Sequence, residues 1–229
     1  MATPRLAEAM REKPSPLENK PTKIGPFMTI SRQYGCPGVS LALPLADLLN
    51  EEHAIAVGGE WHVFHKEILE YLAAETHQAQ EILEREMAHK PSLIADFFRV
   101  FTSENVPSGV EIRNRVTVIA RHLAIRGRAI LIGQGSAAAT MDLPHGLAIR
   151  LEAPEPWRIR QVARREDMSE YDARAKLHDI DRQRQFLRRL YEIKFPRKPA
   201  FHITYDCSAL SLSELTQSIL HLCRLKGMV

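Results

Sequence analysis

Hydrophobic and polar positions follow two different periods along this chain. Short apolar runs of strand length occur at residues 27–31, 129–132, 147–151 and 201–205, with a weaker one at 54–57. The first run is followed by the glycine-containing stretch 33–38. After it, leucines recur at helical spacing through residues 39–50. The chain therefore begins its ordered part with a strand, a glycine loop and a helix.

Amphipathic helical patterns fill most of the remaining chain. They cover residues 66–77, 79–88, 91–101, 110–125, 156–165, 170–191 and 213–225. The run Ala129–Ile132 is apolar at every position and stops at Gly133, which is typical of a strand buried on both faces. Strands that alternate with helices predict an α/β fold with a parallel sheet. Ligands bind such sheets at the carboxyl ends of the strands, where two glycine loops, 35–38 and 133–135, occur here.

Composition narrows the class of protein without identifying it. The 229 residues are 45% hydrophobic and 26% charged, which excludes a mostly disordered or low-complexity chain. The net charge of +3 is too small to indicate nucleic-acid binding by itself. No apolar run approaches the roughly 20 residues that span a bilayer, so no membrane partner is expected.

The N-terminus and the cysteines predict a cytoplasmic protein. Residues 1–26 are polar, contain five prolines and lack the apolar centre of a secretory signal, so they are predicted to form a flexible tail. Three widely separated cysteines, Cys36, Cys207 and Cys223, suggest free thiols in a reducing compartment. His62 and His65 are three residues apart, but no third or fourth zinc ligand accompanies them.

The first glycine loop has the position of a phosphate-binding loop. Such loops hold phosphate oxygens with backbone N–H groups and with the positive end of the next helix. In the form GxxxxGK[ST], a lysine reaches the phosphates and a hydroxyl binds Mg²⁺. Here Ser40 takes the hydroxyl position, Gly38 the lysine position, and Pro37 removes one N–H donor. A tight turn without a ligand is the alternative interpretation of this loop.

Several patches of sequence resemble the cytidylate kinase-like family, a branch of the P-loop nucleoside monophosphate kinases. The stretch Thr29-Ile30-Ser31-Arg32-Gln33-Tyr34-Gly35 is similar to the opening of that family. Further similarity lies at residues 132–135, 153–160, 169–173 and 181–184, the last matching the Asp-x-x-Arg of the family. The resemblance spans about residues 27–226. It implies a three-layer α/β P-loop domain over residues 27–229, with a parallel sheet of about five strands and a helical lid over about 155–200.

The resemblance also implies a function and a set of site residues. The expected reaction moves a phosphoryl group from ATP, with Mg²⁺, to a nucleoside monophosphate or similar acceptor. Ser40 is the expected Mg²⁺ contact, and Arg32 is expected to replace part of the missing lysine. The expected nucleotide- and phosphate-binding residues are Arg32, Gly35, Cys36, Gly38, Val39, Ser40, Gly133 and Gly135.

An arginine-rich segment supplies the expected catalytic residues. Residues 155–200 contain ten Arg and three Lys against eight acidic residues, a local net charge of +5. In monophosphate kinases a basic lid closes over the phosphates, which implies catalytic roles for Arg158, Arg165, Arg182 and Arg184. The alternative is a solvated helix with internal ion pairs, for which Asp181 and Arg184 are suitably spaced. Nucleic acid is not the expected partner, because no aromatic stacking surface accompanies the arginines.

Four departures from the family pattern leave a second hypothesis open. Pro37 replaces a loop glycine, Val39 a frequent basic residue, Gln134 the middle arginine of Gly-Arg-Gly, and His65 an acidic residue. Each change removes a charge or donor that phosphoryl transfer uses. The alternative is therefore a catalytically impaired regulatory protein that binds nucleotides on the same fold. The acceptor and the oligomeric state are not predicted.

Overall fold

The fold is built on one parallel sheet. The structure is a computed structural model, and it describes residues 24–53, 59–65, 119–194 and 201–229. Five strands lie in the order β2-β3-β1-β4-β5, and every neighbouring pair is parallel. The strands are β1 (Phe27–Arg32), β2 (His62–Phe64), β3 (Ala129–Ile132), β4 (Gly146–Glu152) and β5 (Ile203–Asp206). Because β1 is central, the loop that follows it leaves from the middle of the sheet.

Helices connect and cover these strands. They are α1 (Gly38–His53), α2 (Ser136–Ala139), α3 (Glu155–Glu166), α4 (Glu170–Lys194) and α5 (Leu212–Leu225), and residues 119–126 are also helical. Ser211 caps α5 through a reciprocal capping box with Glu214. The Ser169 hydroxyl accepts from the Asp172 amide at the start of α4. Among the described helices, none is long and apolar enough to cross a membrane.

Alternating side chains of the strands give the molecule three layers. Met28 and Ile30 of β1 point into a core that also contains the buried leucines of α1 and the apolar face of α5. Phe27, on the opposite face, packs in a second core with the helical segment 119–126. A third cluster joins α3 to α4 through Ile159 and Leu177. Burial on both faces explains why β1 and β3 are nearly continuous apolar runs, whereas burial alternates along β4 and β5.

The α/β fold with a five-stranded parallel sheet, predicted from the pattern of apolar runs, is confirmed. The runs at 27–31, 129–132 and 147–151 are strands, and the last predicted strand begins two residues later, at Ile203. The second strand is His62–Phe64, which the sequence did not indicate because three residues are too few to display a period. The short α2 was missed for the same reason.

Other predicted elements fall outside the described residues. These are the tail up to residue 23, the possible strand 54–57, the helices predicted within 66–101, and the first part of the helix predicted at 110–125. The described end of that last helix, 119–126, is helical and stops before Gly127, as predicted.

Two leucines of α1 test where the core lies. Leu45 is fully buried in the core between α1 and the sheet, whereas Leu43 is 51% exposed. Leu45→Ala should lower the free energy of unfolding by about 2–5 kcal/mol, because it leaves a cavity in a packed interior. Leu43→Ala, the same substitution on the same helix, should change it by about 0.5 kcal/mol or less. Urea denaturation measures both, and equal losses would contradict the placement of this core.

Candidate functional site

Two loops meet at the carboxyl edge of the sheet. The loop after β1 spans residues 33–37 and leads into α1, and the loop after β3 spans 133–135. The Gly133 amide donates to the Ile30 carbonyl at 3.0 Å, which holds the second loop beside the end of β1. The two glycine loops singled out in the sequence therefore lie next to each other.

The Arg32 side chain lies between two glycines, one from each side. A Cβ added to Gly38 would lie 3.1 Å from both Cδ and Nε of Arg32. A Cβ added to Gly133 would overlap the Arg32 guanidinium, and Gly133 also has a φ of +69° that disfavours other residues. Gly133 must be glycine for this arrangement to form, and a larger residue at position 38 would displace the Arg32 side chain by a few tenths of an ångström. The two glycines place the Arg32 guanidinium at the N-terminus of α1, close to the position that a P-loop lysine would occupy.

The neighbours of Arg32 fix the course of β1 into the loop. The Ser31 hydroxyl accepts from Nη1 of Arg150, on the adjacent strand β4, at 3.2 Å. The Gln33 amide donates to the Leu151 carbonyl, and Oε1 of Gln33 accepts from the Ala153 amide, both at 3.0 Å. Ser31 and Gln33 thus join the end of β1 to β4 and its exit. That attachment sets the direction in which Arg32 points.

The start of α1 offers backbone donors. Within the part of the chain that the structure describes, the amides of Val39 and Ser40 donate to no acceptor, as is usual in the first turn of a helix. Both residues are exposed. The Cys36 and Gly38 amides are bonded inside the loop, to the carbonyls of Gln33 and Cys36. The donors available to an anion are therefore at positions 39 and 40, beside the Ser40 hydroxyl.

The second loop has an unusual backbone. Gly133, Gln134 and Gly135 all have positive φ, with 54° at Gln134, where a side chain is rarely accommodated. The Ser136 amide donates back to the Gly133 carbonyl, which closes the turn into α2. Gln134 is partly exposed at this turn, in the position where the family resemblance leads one to expect arginine.

A buried arginine holds the first loop to α3. The Arg158 side chain is 7% exposed, and its guanidinium donates to the Ala153 and Tyr34 carbonyls at 2.9 and 3.1 Å. It also forms an ion pair with Asp181 of α4. A Cβ on Gly35 would lie 2.9 Å from the Cβ of Arg158, so only glycine allows the loop to approach α3 this closely. The hydrogen-bond donors of Arg158 are therefore occupied by acceptors within the protein.

Tyr34 connects the loop to the helices of the predicted lid. Its amide donates to Oδ1 of Asp181 at 2.8 Å, and its hydroxyl donates to Oε1 of Glu166 at 2.5 Å. The guanidiniums of Arg165 and Arg184 lie over its ring, 5.3 and 5.5 Å from the centroid. These contacts bring two basic side chains of α3 and α4 to the glycine loop.

Ionisable groups interact closely where Tyr34 of the loop meets α3 and α4. Burial opposes ionisation of Glu166, but hydrogen bonds from Lys176, Tyr34 and Arg165 outweigh it and lower the pKa of its carboxyl to about 2. Burial, followed by the bond to Glu166, raises the pKa of the Tyr34 hydroxyl. Burial also lowers the pKa of Arg184, whose Nη1 donates to the Arg32 carbonyl at 3.1 Å. The lid helices and the loop thus share one network of charges.

The predicted catalytic arginines occupy different environments. Arg158 and Arg184 reach the loop, Arg165 reaches Tyr34, and Arg182 is exposed and makes no polar contact within the described residues. Asp181, for which an ion pair with Arg184 was suggested, pairs with Arg158 of the preceding helix instead.

Some residues that contact the candidate site were not indicated by the sequence. Tyr34, Glu166 and Arg150 contact site residues across distances in sequence that no local pattern reveals. Arg121, in the helical segment before β3, is buried and binds Asp142 and the Ala139 carbonyl. Within the described ranges, no three His, Cys, Asp or Glu side chains form a cluster that could hold a metal ion.

The fold and the position of these loops define a class. Five parallel strands, helices on both faces, and a glycine loop from the central strand into α1 make this a P-loop kinase-like domain. The family model described as the cytidylate kinase-like family matches residues 27–209. The chain therefore belongs to the cytidylate kinase-like family, as its motifs predicted.

One of two similar solved structures supports the fold. An uncharacterized protein from Eubacterium ventriosum is 17% identical, with a TM-score of 0.58 over 87% of this chain and 98% of that one. A shikimate kinase from Bacteroides thetaiotaomicron is 12% identical, with a TM-score of 0.46 over 87% of this chain and 97% of that one. Only the first is similar enough to support the fold. A search of curated proteins finds no significant match.

The ion pair between Asp181 and Arg158 should stabilise the fold measurably. Asp181→Asn keeps the size of the side chain but removes its charge, leaving the buried Arg158 guanidinium with neutral acceptors. We expect a loss of about 1.5–3 kcal/mol in the free energy of unfolding. Asp47→Asn, the same substitution at an exposed position of α1, should cost about 0.5 kcal/mol or less. Equal effects in urea denaturation would show that this ion pair does not anchor the loop.

Glu166 should make stability depend on pH in a defined range. Its pKa is lowered from an ordinary 4.5 to about 2, so its contribution is complete above about pH 4.5 and is lost as the pH falls towards 2. The difference in unfolding free energy between the parent and Glu166→Gln should shrink over this range.

Tyr34→Phe serves as the companion variant in that titration. It keeps the aromatic ring beside Arg165 and Arg184 but removes one hydrogen bond to the Glu166 carboxylate. The pKa of Glu166 should therefore rise towards its ordinary value, and the transition should move to higher pH. A parent–variant difference that stays constant from pH 7 to pH 2 would contradict the lowered pKa.

Proposed function

We propose that the protein is a phosphotransferase that moves a phosphoryl group from a nucleoside triphosphate to a nucleoside monophosphate or a similar phosphorylated acceptor. The observation that carries the proposal is the Arg32 guanidinium between Gly38 and Gly133, at the start of α1. A fixed positive charge beside a helix N-terminus is suited to a chain of phosphates. Membership of the cytidylate kinase-like family gives the same reaction class.

Donor binding in this proposal rests on the first loop. The β- and γ-phosphates lie against the Val39 and Ser40 amides and against Arg32, which takes the role of the absent lysine. Arginine suits that role because its planar donors can bind two phosphate oxygens at once. Gly35 and Cys36 shape the loop, Gly133 keeps the second loop clear of the Arg32 side chain, and Gly135 provides a positive φ of 74° in that loop.

The donor set also fits Mg²⁺ bound together with a nucleotide. Mg²⁺ usually keeps several waters and takes few protein ligands beside substrate phosphates, so a cluster of carboxylates is not required. The Ser40 side chain is exposed, and its hydroxyl would hold the Mg²⁺ ion. It lies next to the Val39 and Ser40 amides, which donate to no acceptor within the described residues. The ion would neutralise charge on the β- and γ-phosphates as the phosphoryl group leaves.

The segment 155–200 acts as the lid in this proposal. Arg184 and Arg165 already lie at the loop through Tyr34, and in the proposed reaction they leave its ring to contact the transferring phosphoryl group. Arg182, exposed on the same helix as Arg184, is available to the acceptor. Arg158 is different, because its donors are used by Tyr34, Ala153 and Asp181. We assign it to positioning the loop and not to contacting phosphate.

A second function, nucleotide binding without turnover, is favoured by one specific observation. The loop amides at Tyr34, Cys36 and Gly38 donate to acceptors in the protein, and Pro37 has no N–H to donate. Fewer donors are therefore left to stabilise the charge that develops in the transition state than in a glycine-rich loop. Binding requires fewer of these contacts than catalysis does.

Paired measurements separate the two functions. Calorimetry with ATP and Mg²⁺ measures binding, and a coupled assay over the nucleoside monophosphates measures transfer. Binding together with ADP formation that depends on one acceptor supports the phosphotransferase. Binding with no turnover on any acceptor supports the regulatory alternative, and absence of binding would overturn both.

Arg32 should decide the affinity for the triphosphate. Arg32→Ala removes a charged donor from the anion site, so the dissociation constant for ATP should rise by about ten- to a hundredfold. Arg160→Ala removes an arginine that is exposed on α3, and it should leave the affinity unchanged. Isothermal titration at one fixed ionic strength compares them. An equal response of both variants would mean that general charge, and not the position of Arg32, attracts the nucleotide.

A further inference from the structure

The glycine loop after β1 closes on itself through two successive turns. The Cys36 amide donates to the Gln33 carbonyl at 3.3 Å, which forms a four-residue turn. The Gly38 amide donates to the Cys36 carbonyl at 2.9 Å. A hydrogen bond to the carbonyl two residues earlier defines a γ-turn, and its central residue here is Pro37. The Cys36 and Gly38 amides are therefore satisfied within the loop itself.

Pro37 suits the centre of this γ-turn. An inverse γ-turn needs a central φ of about −75°, and the proline ring holds φ at about −65°. The Pro37 carbonyl accepts from the Leu41 amide at 3.0 Å, in a hydrogen bond of the type that opens a helix. Pro37 therefore links the γ-turn directly to the start of α1.

The γ-turn withdraws two backbone donors from the start of α1. Position 37 has no N–H, because its residue is proline. The N–H of Gly38 is directed to the Cys36 carbonyl. Gly38 is buried, and the Arg32 side chain packs so closely on it that a Cβ at position 38 would lie 3.1 Å from Nε of Arg32. Gly38 therefore contributes to the site through the arginine that packs on it, and not through its amide.

The two amides that follow the γ-turn differ from those within it. Those of Val39 and Ser40 donate to no acceptor in the part of the chain that the structure describes, and both residues are exposed. Two adjacent amides at a helix N-terminus can bind the oxygens of one phosphate group. The boundary between bonded and available donors thus falls directly after the γ-turn that Pro37 closes.

We propose that Pro37 is a specificity-determining residue, which restricts the loop backbone to one phosphate group of a phosphate chain and leaves the next phosphate to the Arg32 side chain. In a loop without this γ-turn, the amides of positions 37 and 38 face the ligand as well, as successive backbone amides do in anion-binding loops. The inference rests on the proposed function, because that function assigns phosphates to this loop.

Titration with inorganic phosphates tests the proposal without a nucleotide. Calorimetry compares orthophosphate with tripolyphosphate for the full-length parent and for Pro37→Gly, which restores an N–H and releases the γ-turn. Pro37→Gly should bind tripolyphosphate about three- to tenfold more tightly, because a donor to a charged group is gained, and should bind orthophosphate as the parent does. Pro44→Ala, which removes a proline inside α1, should change neither affinity. A gain for both anions, or for neither, would overturn the proposal.

Amide hydrogen exchange, followed by NMR, shows whether the γ-turn acts in this way. In the parent, tripolyphosphate should protect the Val39 and Ser40 amides, whereas the Gly38 amide should be protected from the outset. In Pro37→Ala, the Gly38 amide should exchange faster and should become protected when tripolyphosphate is added. This variant adds less freedom than glycine does, so it keeps the test valid if Pro37→Gly does not fold. A Gly38 amide that gains protection from tripolyphosphate in the parent would show that the turn does not restrict the loop.

Failure of this proposal and failure of the proposed function give different results. If Pro37→Gly binds tripolyphosphate more tightly but no acceptor yields ADP from ATP, the role of Pro37 stands and the phosphotransferase reaction is refuted. If the parent transfers phosphoryl groups and Pro37→Gly gains no affinity for tripolyphosphate, the reaction stands and the role of Pro37 is refuted.

Discussion

The buried guanidinium of Arg158 is the constraint on which the geometry of the site depends. A charge with 7% of its side chain exposed is tolerated only if acceptors surround it, because an unpaired buried charge costs several kcal/mol. Its acceptors are the Ala153 carbonyl, the Tyr34 carbonyl of the loop and the Asp181 carboxylate of α4. Satisfying this one group therefore fixes the loop to α3 and α4, and Gly35 is the residue that lets them approach.

A second arginine brings positive charge to the start of α1. With the loop held by Arg158, the end of β1 directs Arg32 between the two glycines and towards the first turn of α1. Tyr34 then draws Arg165 and Arg184 to the same place. One loop is thus anchored by the buried Arg158 and lies beside three other arginines, Arg32, Arg165 and Arg184. In the proposed function, these three arginines supply the positive charge that a P-loop lysine would otherwise bring to the phosphates.

The fold could be predicted from the sequence, but the different contacts of the individual arginines could not. The pattern of apolar residues located β1 and β3, because strands buried on both faces leave continuous apolar runs, and it located β4, in which burial alternates along the strand. Sequence motifs located both glycine loops. They could not distinguish Arg158, whose partners lie on two other elements, from Arg184, because contacts across the fold leave no local pattern. The strand His62–Phe64 was too short to recognise.

The most direct test is a structure of the full chain with Mg²⁺ and a non-hydrolysable ATP analogue. The triphosphate should contact the Arg32 guanidinium and the Val39 and Ser40 amides, while Arg158 keeps its ion pair with Asp181. A nucleotide bound elsewhere, or Arg158 released from Asp181 to hold the phosphates, would contradict this arrangement.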